Sequence, residues 1–313
     1  MRLPISLLLL ASAALAGPVD FGKAELNAAI ASRDFKIKPR IVAELDIEAP
    51  ETFHIEPYAA GGGHITGGDL RGLMYGLLEA AEQIRSTGHL KSTHGAPALA
   101  LRGIRLTAAP EAGWFNSDEF WERFFAGMAR NKFNRLEVVL QSDPSPAAFP
   151  ALRSIAQTAA QYGVDIAIGF DAAGVTEIEH LLASCPSVRT IVLHRLEELT
   201  NASALLPILH DAGRRVVLEL PDDPATAGLI EAAARQGAPL RLFAPFTDAA
   251  LNPQPRDWYW QIDPAQGPDA VNSISGAGFE IAAPLDDKQR PQLDSIADWG
   301  RSGYSRPPAL SGK

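Results

Sequence analysis

Five carboxylates and two tryptophans fall at the ends of segments that read as strands. "RTIVLHR" ends in His194-Arg195, and Glu197 and Glu198 follow at once. "RRVVLEL" ends in Glu219, with Asp222 and Asp223 just beyond. "VDIAIGF" runs into Asp171, and "DWYWQID" closes on Asp263. Two carboxyl groups facing each other across a cleft are what acid/base cleavage of a glycosidic bond requires: one protonates the leaving oxygen, the other acts as nucleophile or base. Trp258 and Trp260 fall on the same side of an alternating strand. Facing inward, they offer flat apolar surface to the C–H face of a pyranose ring. Facing outward, they pack under helices. Each carboxylate also has a plainer reading: Glu197-Glu198 as solvated residues opening a loop, and Asp222-Asp223-Pro224 as a helix cap. His194 is the histidine placed for proton transfer, or else a hydrogen-bonded structural residue.

Other chemistries lack their signatures. The seven histidines are scattered, with no H-E-x-x-H or paired spacing, so neither metal nor cofactor is expected. There is no G-x-S-x-G elbow and no G-x-G-x-x-G after a strand. A phosphate-binding barrel would want a glycine-rich loop late in the chain, and "GPDAVNSISGAG" fits that poorly. Cys185 is the single cysteine; it excludes an intramolecular disulfide and reads as a small buried hydrophobe.

The elements that must position these residues fall into two parts that divide near residue 97. In residues 20–96, "AELNAAIA" reads as a helix, and "IVAELDI" and "TFHIEPY" as half-buried strands. "GGGHITGG" reads as a hairpin-like return. Gly67-Gly68-Asp69 turns the chain, and Asp69 can cap a helix from Leu70 to Arg85. Leu70, Leu73, Met74, Leu77, Leu78, Ala81 and Ile84 form one stripe at helical spacing. Gly72 and Gly76, four apart, let that helix approach the sheet closely. This is a small α+β layer, and "STGHLKSTHGAPAL" reads as the linker after it.

Residues 97–313 alternate strand and helix: "ALRGIRL", "RLEVVL", "VDIAIGF", "RTIVLHR", "RRVVLEL", "LRLFAPF", "DWYWQID" and "FEIAAPL" are strands, each with a connection or helix after it, "PDAVNSISGAG" being the one after "DWYWQID". Eight such units predict an α/β protein with a compact (β/α)8 TIM barrel; a doubly wound open sheet shares the alternation.

"ITGGDLRGLMYGLLEAAEQI" resembles the small N-terminal α/β domain of family 20 and family 67 glycoside hydrolases, the β-hexosaminidases and α-glucuronidases. There a glycine-aspartate turn, an R-G pair and a Y-G pair open a helix packed on a sheet. "PALALRGIRL" followed by "WFNSDEFWERFFAGMARNKFNRLEVVL" resembles the start of the barrel that follows, with Asn131-Lys132-Phe133-Asn134-Arg135 at the "NRFN" turn. The likeness spans about residues 50–140. It implies glycoside hydrolysis with a saccharide as partner. It also implies that Arg102, the R-G arginine, holds sugar hydroxyls; a salt bridge at the barrel's base is the alternative. Glu197-Glu198 falls where family 20 has an Asp-Glu pair, though without the preceding glycine-rich turn. Asp69 and Arg71 fix a turn or bridge to the barrel. The loops after the strands are short, so a catalytically inactive carbohydrate-binding or scaffold protein of the same fold is the second reading.

The 313 residues carry a formal net charge of −9, with acidic and basic residues interspersed, which excludes the basic stripe of a nucleic-acid binder. Arg2, the apolar run "LPISLLLLASAALA" and Ala14-Leu15-Ala16 form a signal-peptide pattern over residues 1–16. A mature chain from Gly17, periplasmic or secreted and without a membrane span, is expected; an uncleaved N-terminal anchor is the alternative. The sequence sets no oligomeric state.

Overall fold

The computed structural model describes residues 17–108, 110–140, 148–170, 175–188, 190–193, 217–221, 240–243, 256–262 and 271–281, and positions 294, 297, 298, 300, 301 and 304. They form a mixed α/β protein. Among them, no helix is long and apolar enough to cross a membrane. The leader, residues 1–16, and the helices expected from "SALLPILHDAG" and "ATAGLIEAAARQG" lie outside the described residues.

The first layer comprises α1 (Pro18–Ala31), β1 (Arg40–Leu45), β2 (Phe53–Pro57), β3 (Gly62–Gly67), α2 (Leu70–Thr87) and β4 (Thr93–Gly95). Its sheet runs β1-β3-β2-β4, with β1 parallel to β3 and the other pairs antiparallel. "GGGHITGG" is a full strand rather than a bare return, and Gly61 and Gly62 turn into it at φ 93° and 88°, a region costly for residues with a Cβ. The expected linker contains β4, because His94 pairs in register with His54 and closes the sheet's far edge.

α2 follows from its local sequence. The Asp69 side chain accepts from Gly72 N at 2.6 Å, and the helix ends at Gly88, φ 81°, whose N–H reaches Ile84 O. Leu73, Met74, Leu77, Leu78, Ala81 and Ile84 are buried in the core that α2 shares with the sheet and α1, whereas Leu70 stays exposed at the rim. A Cβ on Gly72 would strike the Thr52 carbonyl oxygen, and one on Gly76 would lie 2.8 Å from Ile65 Cγ2. Helix and sheet pack at backbone distance here, as the glycine spacing predicts.

Eight further strands follow: β5 (Leu101–Ala108), β6 (Arg135–Leu140), β7 (Asp165–Phe170), β8 (Thr190–Leu193), β9 (Val217–Pro221), β10 (Leu240–Phe243), β11 (Arg256–Ile262) and β12 (Val271–Ile281). They pair in a closed ring, β5-β6-β7-β8-β9-β10-β11-β12 and back to β5. Between the early strands run α3 (Asp118–Arg130), α4 (Phe149–Gln161) and α5 (Val175–Ser184). Ser117 caps α3 by accepting from Phe120 N. Leu106, Val138, Ile168 and Ile191 share one buried cluster with Phe125, Leu152, Ile155 and Leu181 of the helices. Cys185 is buried in that cluster, as read, and burial pushes its thiol pKa up.

One expectation fails. β11 is antiparallel to both β10 and β12, while β12 is parallel to β5. "PDAVNSISGAG", expected as the connection or helix between the seventh and eighth strands, instead supplies the first part of β12 from Val271 on. Residues 263–270 separate β11 from β12, too few for the dozen or more residues of a parallel crossover. Gly276 and Gly278 each disfavour helix by about 1 kcal/mol. The segment therefore joins "FEI" in one long strand.

Candidate active site

In (β/α)8 barrels, chemistry belongs to the end where the parallel strands finish. Here that mouth is set by Ala108, Leu140, Phe170, Leu193, Pro221, Phe243 and Ile281. Asp171 directly follows Phe170 and His194 directly follows Leu193; both lie outside the described residues, as do Glu197 and Glu198. Glu219 is within β9, two residues short of its end, in register with Val192 of β8 and Arg241 of β10. The backbone thus brings Glu219 to the ring's upper part, on the strand after the one that leads to Glu197 and Glu198.

The reversal of β11 changes two placements. Tyr259 is in register with Phe243 at the mouth end of β10, and Ile262 with Val271 at the start of β12. The strand therefore descends from mouth to base. Trp258 lies on its mouth side, and Trp260 deeper, beside Leu242 and Ile274. Asp263, itself outside the described residues, follows the base end. Its expected place at the mouth assumed a parallel strand, and that premise fails.

Arg102 requires the other correction. It is the second residue of β5, at the ring's base, and wholly buried. Its Nε donates to Lys132 O at 2.8 Å, its Nη1 to Leu99 O, and its Nη2 to Glu51 Oε2. Of the two readings of this arginine, the salt bridge is the one present, and the side chain is wholly buried at the base. Glu51 is the centre of this cluster. Its Oε1 also accepts from Arg71 Nη1 at 2.6 Å and Asn134 Nδ2 at 2.8 Å, and its main-chain oxygen accepts from the Tyr304 hydroxyl. Arg71 reaches Asp165, the first residue of β7, at 3.0 Å. Asn134 Oδ1 accepts from Arg102 N at 2.8 Å. Residues quoted for the family likeness, Arg71, Tyr75, Arg102, Lys132 and Asn134, thus converge on the seam between layer and ring. Asp69 and Arg71 cap and bridge there, as read.

The electrostatics of this seam are structural. Burial raises the Glu51 carboxyl pKa, but the charges of Arg102 and Arg71 outweigh it and hold the value below the usual range. Burial drives the Tyr75 and Tyr304 phenols upward. Burial also lowers the Lys132 ammonium, against the pull of Glu79 at 3.3 Å. Glu51 holds φ 63° and Lys132 φ 62°, conformations that bulky residues keep only where their surroundings over-determine them. A cleft of about 470 Å³ opens along the seam between Leu70, Arg71, Ala160 and Asp165. It lies at the base, far from the strand ends that carry chemistry.

The ring's interior holds a pair that sequence reading passed over. Arg105 of β5 donates from Nε to Glu137 Oε1 of β6 at 2.9 Å, and both are wholly buried. Arg135 Nη1 donates to Thr190 Oγ1 at 3.1 Å. Arg105, Glu137, Ala167 and Thr190 stand in register on four successive strands, and Glu280 of β12 stands in register on the other side of Arg105. The signal was present: in "RGIRLT" and "RLEVVL" a charge occupies the phase opposite to the helix-facing Leu106 and Val138. Burying such a pair costs solvation that only a well-matched partner offsets. Among the described residues, no group of three or more His, Cys, Asp or Glu could hold a metal ion.

No family model and no curated protein matches the sequence. Solved structures do. A family GH138 enzyme targeting pectin rhamnogalacturonan II superposes with TM-score 0.67 at 14% identity, over 92% of this chain and 49% of that one. The chain therefore spans about half the length of that enzyme. A family 20 β-N-acetylglucosaminidase superposes with TM-score 0.61 at 15% identity, over 91% of this chain and 86% of that one. A β-N-acetylhexosaminidase from Bacteroides fragilis gives TM-score 0.53 at 11% identity, over 87% and 81%. The chain has a glycoside-hydrolase-like fold.

Proposed function

We propose that this protein hydrolyses O-glycosidic bonds of a saccharide by carboxylate acid/base chemistry at the mouth of a (β/α)8-type barrel whose seventh strand is reversed. The observation that carries the proposal is the likeness of nine-tenths of the chain to glycoside hydrolases, together with the position of Glu219 in the strand after β8, which leads into Glu197 and Glu198. Glu197 or Glu198 serves as the acid. Glu219 or Asp171 stands opposite as nucleophile or base, His194 contacts substrate, and Trp258 or Trp260 provides an aromatic floor. A separation of about 5 Å between the two carboxyls would give retention, and about 6.5–9.5 Å inversion.

The N-terminal layer, residues 20–96, braces the base of the barrel, residues 97–313. Residues 1–16 form a leader that directs export to the periplasm or beyond and is removed before Gly17. The second reading is a carbohydrate-binding or scaffold protein without turnover. It draws on the reversed β11, which departs from the strand–helix alternation of an unmodified barrel.

The test is a screen of the chain from Gly17 against aryl glycosides and short oligosaccharides, read by hydrolysis and by thermal shift together. Cleavage of any one supports the enzyme. A melting shift without cleavage across the whole panel supports the second reading and contradicts the first.

A further inference from the structure

Among the described residues, the four-stranded sheet ends on one side at β1, which pairs with β3 and no other strand. Exposed large apolar residues gather around this edge: Ile37 is 85% exposed, Leu45 53% and Ile47 102%. Edge strands are usually protected by lysine, proline or a covering element, because their unpaired N–H and C=O groups accept another strand. β1 itself, "RIVAEL", has neither lysine nor proline, which stand just before it as Lys38 and Pro39.

The stretch from Lys36 to Glu48, "KIKPRIVAELDIE", has an antisymmetry centred on Val42. Lys36, Lys38 and Arg40 precede it, and Glu44, Asp46 and Glu48 follow at matching distances. Ile37 and Ile47 match in the same way. Among the described residues, no carboxylate pairs with Lys36, Lys38 or Arg40 within the chain, whereas Glu44 reaches His64, and Glu48 reaches His54 and the Thr52 hydroxyl. Ile41 and Ala43 pack toward the layer's core, so Arg40, Val42 and Glu44 occupy the opposite face, and Arg40 and Glu44 are exposed.

We propose that β1 pairs antiparallel with β1 of a second copy of this chain, about a twofold axis at Val42. That register sets Arg40 opposite the copy's Glu44 and Val42 opposite Val42. Lys38 and Asp46, just outside the strand on either side, add a charge match of the same sense. A twofold interface makes every such contact twice. Directly opposed residues on antiparallel strands are close enough for charge to choose the register. The two sheets become one, β4-β2-β3-β1 continuing into its copy, by the edge-addition mode of strand recognition. The ring mouths are not part of this interface.

The experiment is sedimentation equilibrium on the chain from Gly17 and on Arg40→Glu and Glu44→Arg. Both substitutions fall on exposed side chains, and circular dichroism confirms that each variant is folded. Wild type is expected to be dimeric at micromolar concentration, and each variant alone to dissociate at least tenfold more readily, since like charges then face each other twice. An equimolar mixture restores the dimer, because one variant presents acids at positions 40 and 44 and the other presents bases. A monomeric wild type, variants that associate as wild type does, or a mixture that stays monomeric would each overturn the proposal.

Discussion

Arg102 and Arg105 lie three residues apart on β5, both wholly buried, yet their partners come from different parts of the molecule. Arg102 is held by Glu51 and Tyr75 of the N-terminal layer and stacks over Tyr304 at 5.2 Å. Arg105 is held by Glu137 of the neighbouring strand, inside the ring. A strand advances about 3.3 Å per residue, so roughly 10 Å separates a cluster that joins two layers from one inside the ring of strands. Buried charge therefore does not by itself mark a reaction centre: the base of this ring is as polar as its interior, and its polarity is consumed in assembly. The mouth lies about 20 Å above Arg102 along β5.

The largest effect should come from emptying the seam. Glu51→Ala leaves the Arg71 and Arg102 charges without their shared partner, and breaking such a buried pair costs about 3–5 kcal/mol. Thermal melting should show a drop of many degrees, and any activity should fall only as the folded fraction falls. Gly72→Ala comes next, at about 1–3 kcal/mol, because its Cβ meets the Thr52 carbonyl oxygen and the helix must lift from the sheet.

The charge of Glu51 can be separated from its shape with Glu51→Gln. The folded pKa of Glu51 is lowered, so its ionic contribution is fully present above the unfolded carboxylate value, about 4.3. It is lost as pH falls through the folded value. The gap in melting midpoint between wild type and Glu51→Gln should be constant above about pH 5 and close on acidification. A gap independent of pH down to acid unfolding would show that the charge is not what holds the seam. The smallest effect is Asp69→Ala, which removes the α2 cap for about 1 kcal/mol, readable as a small shift in denaturant midpoint.

The same contrast explains what the sequence made legible. Asp69, the glycine pair and the apolar stripe of α2 were readable because caps, close approach and amphipathic burial are local rules. The order of strands up to β10 was readable because alternation is periodic. The direction of β11 was not, since a run such as "DWYWQI" has the same pattern either way up; only the short 263–270 connection and the glycines of "SISGAG" held the information. Arg102 carried two roles until Glu51, far away in sequence, was seen to claim it. Arg105 and Glu137 escaped notice because each looks like a lone charge in an apolar strand, and only the register between β5 and β6 makes them a pair.

The most direct test of the central claim, a bracing base and a reactive mouth, is a Glu197→Gln/Glu198→Gln double variant measured for turnover and melting on the same preparation. The account predicts that hydrolysis of a substrate cleaved by wild type is lost while the melting midpoint stays where it was. Full turnover in that variant would contradict it.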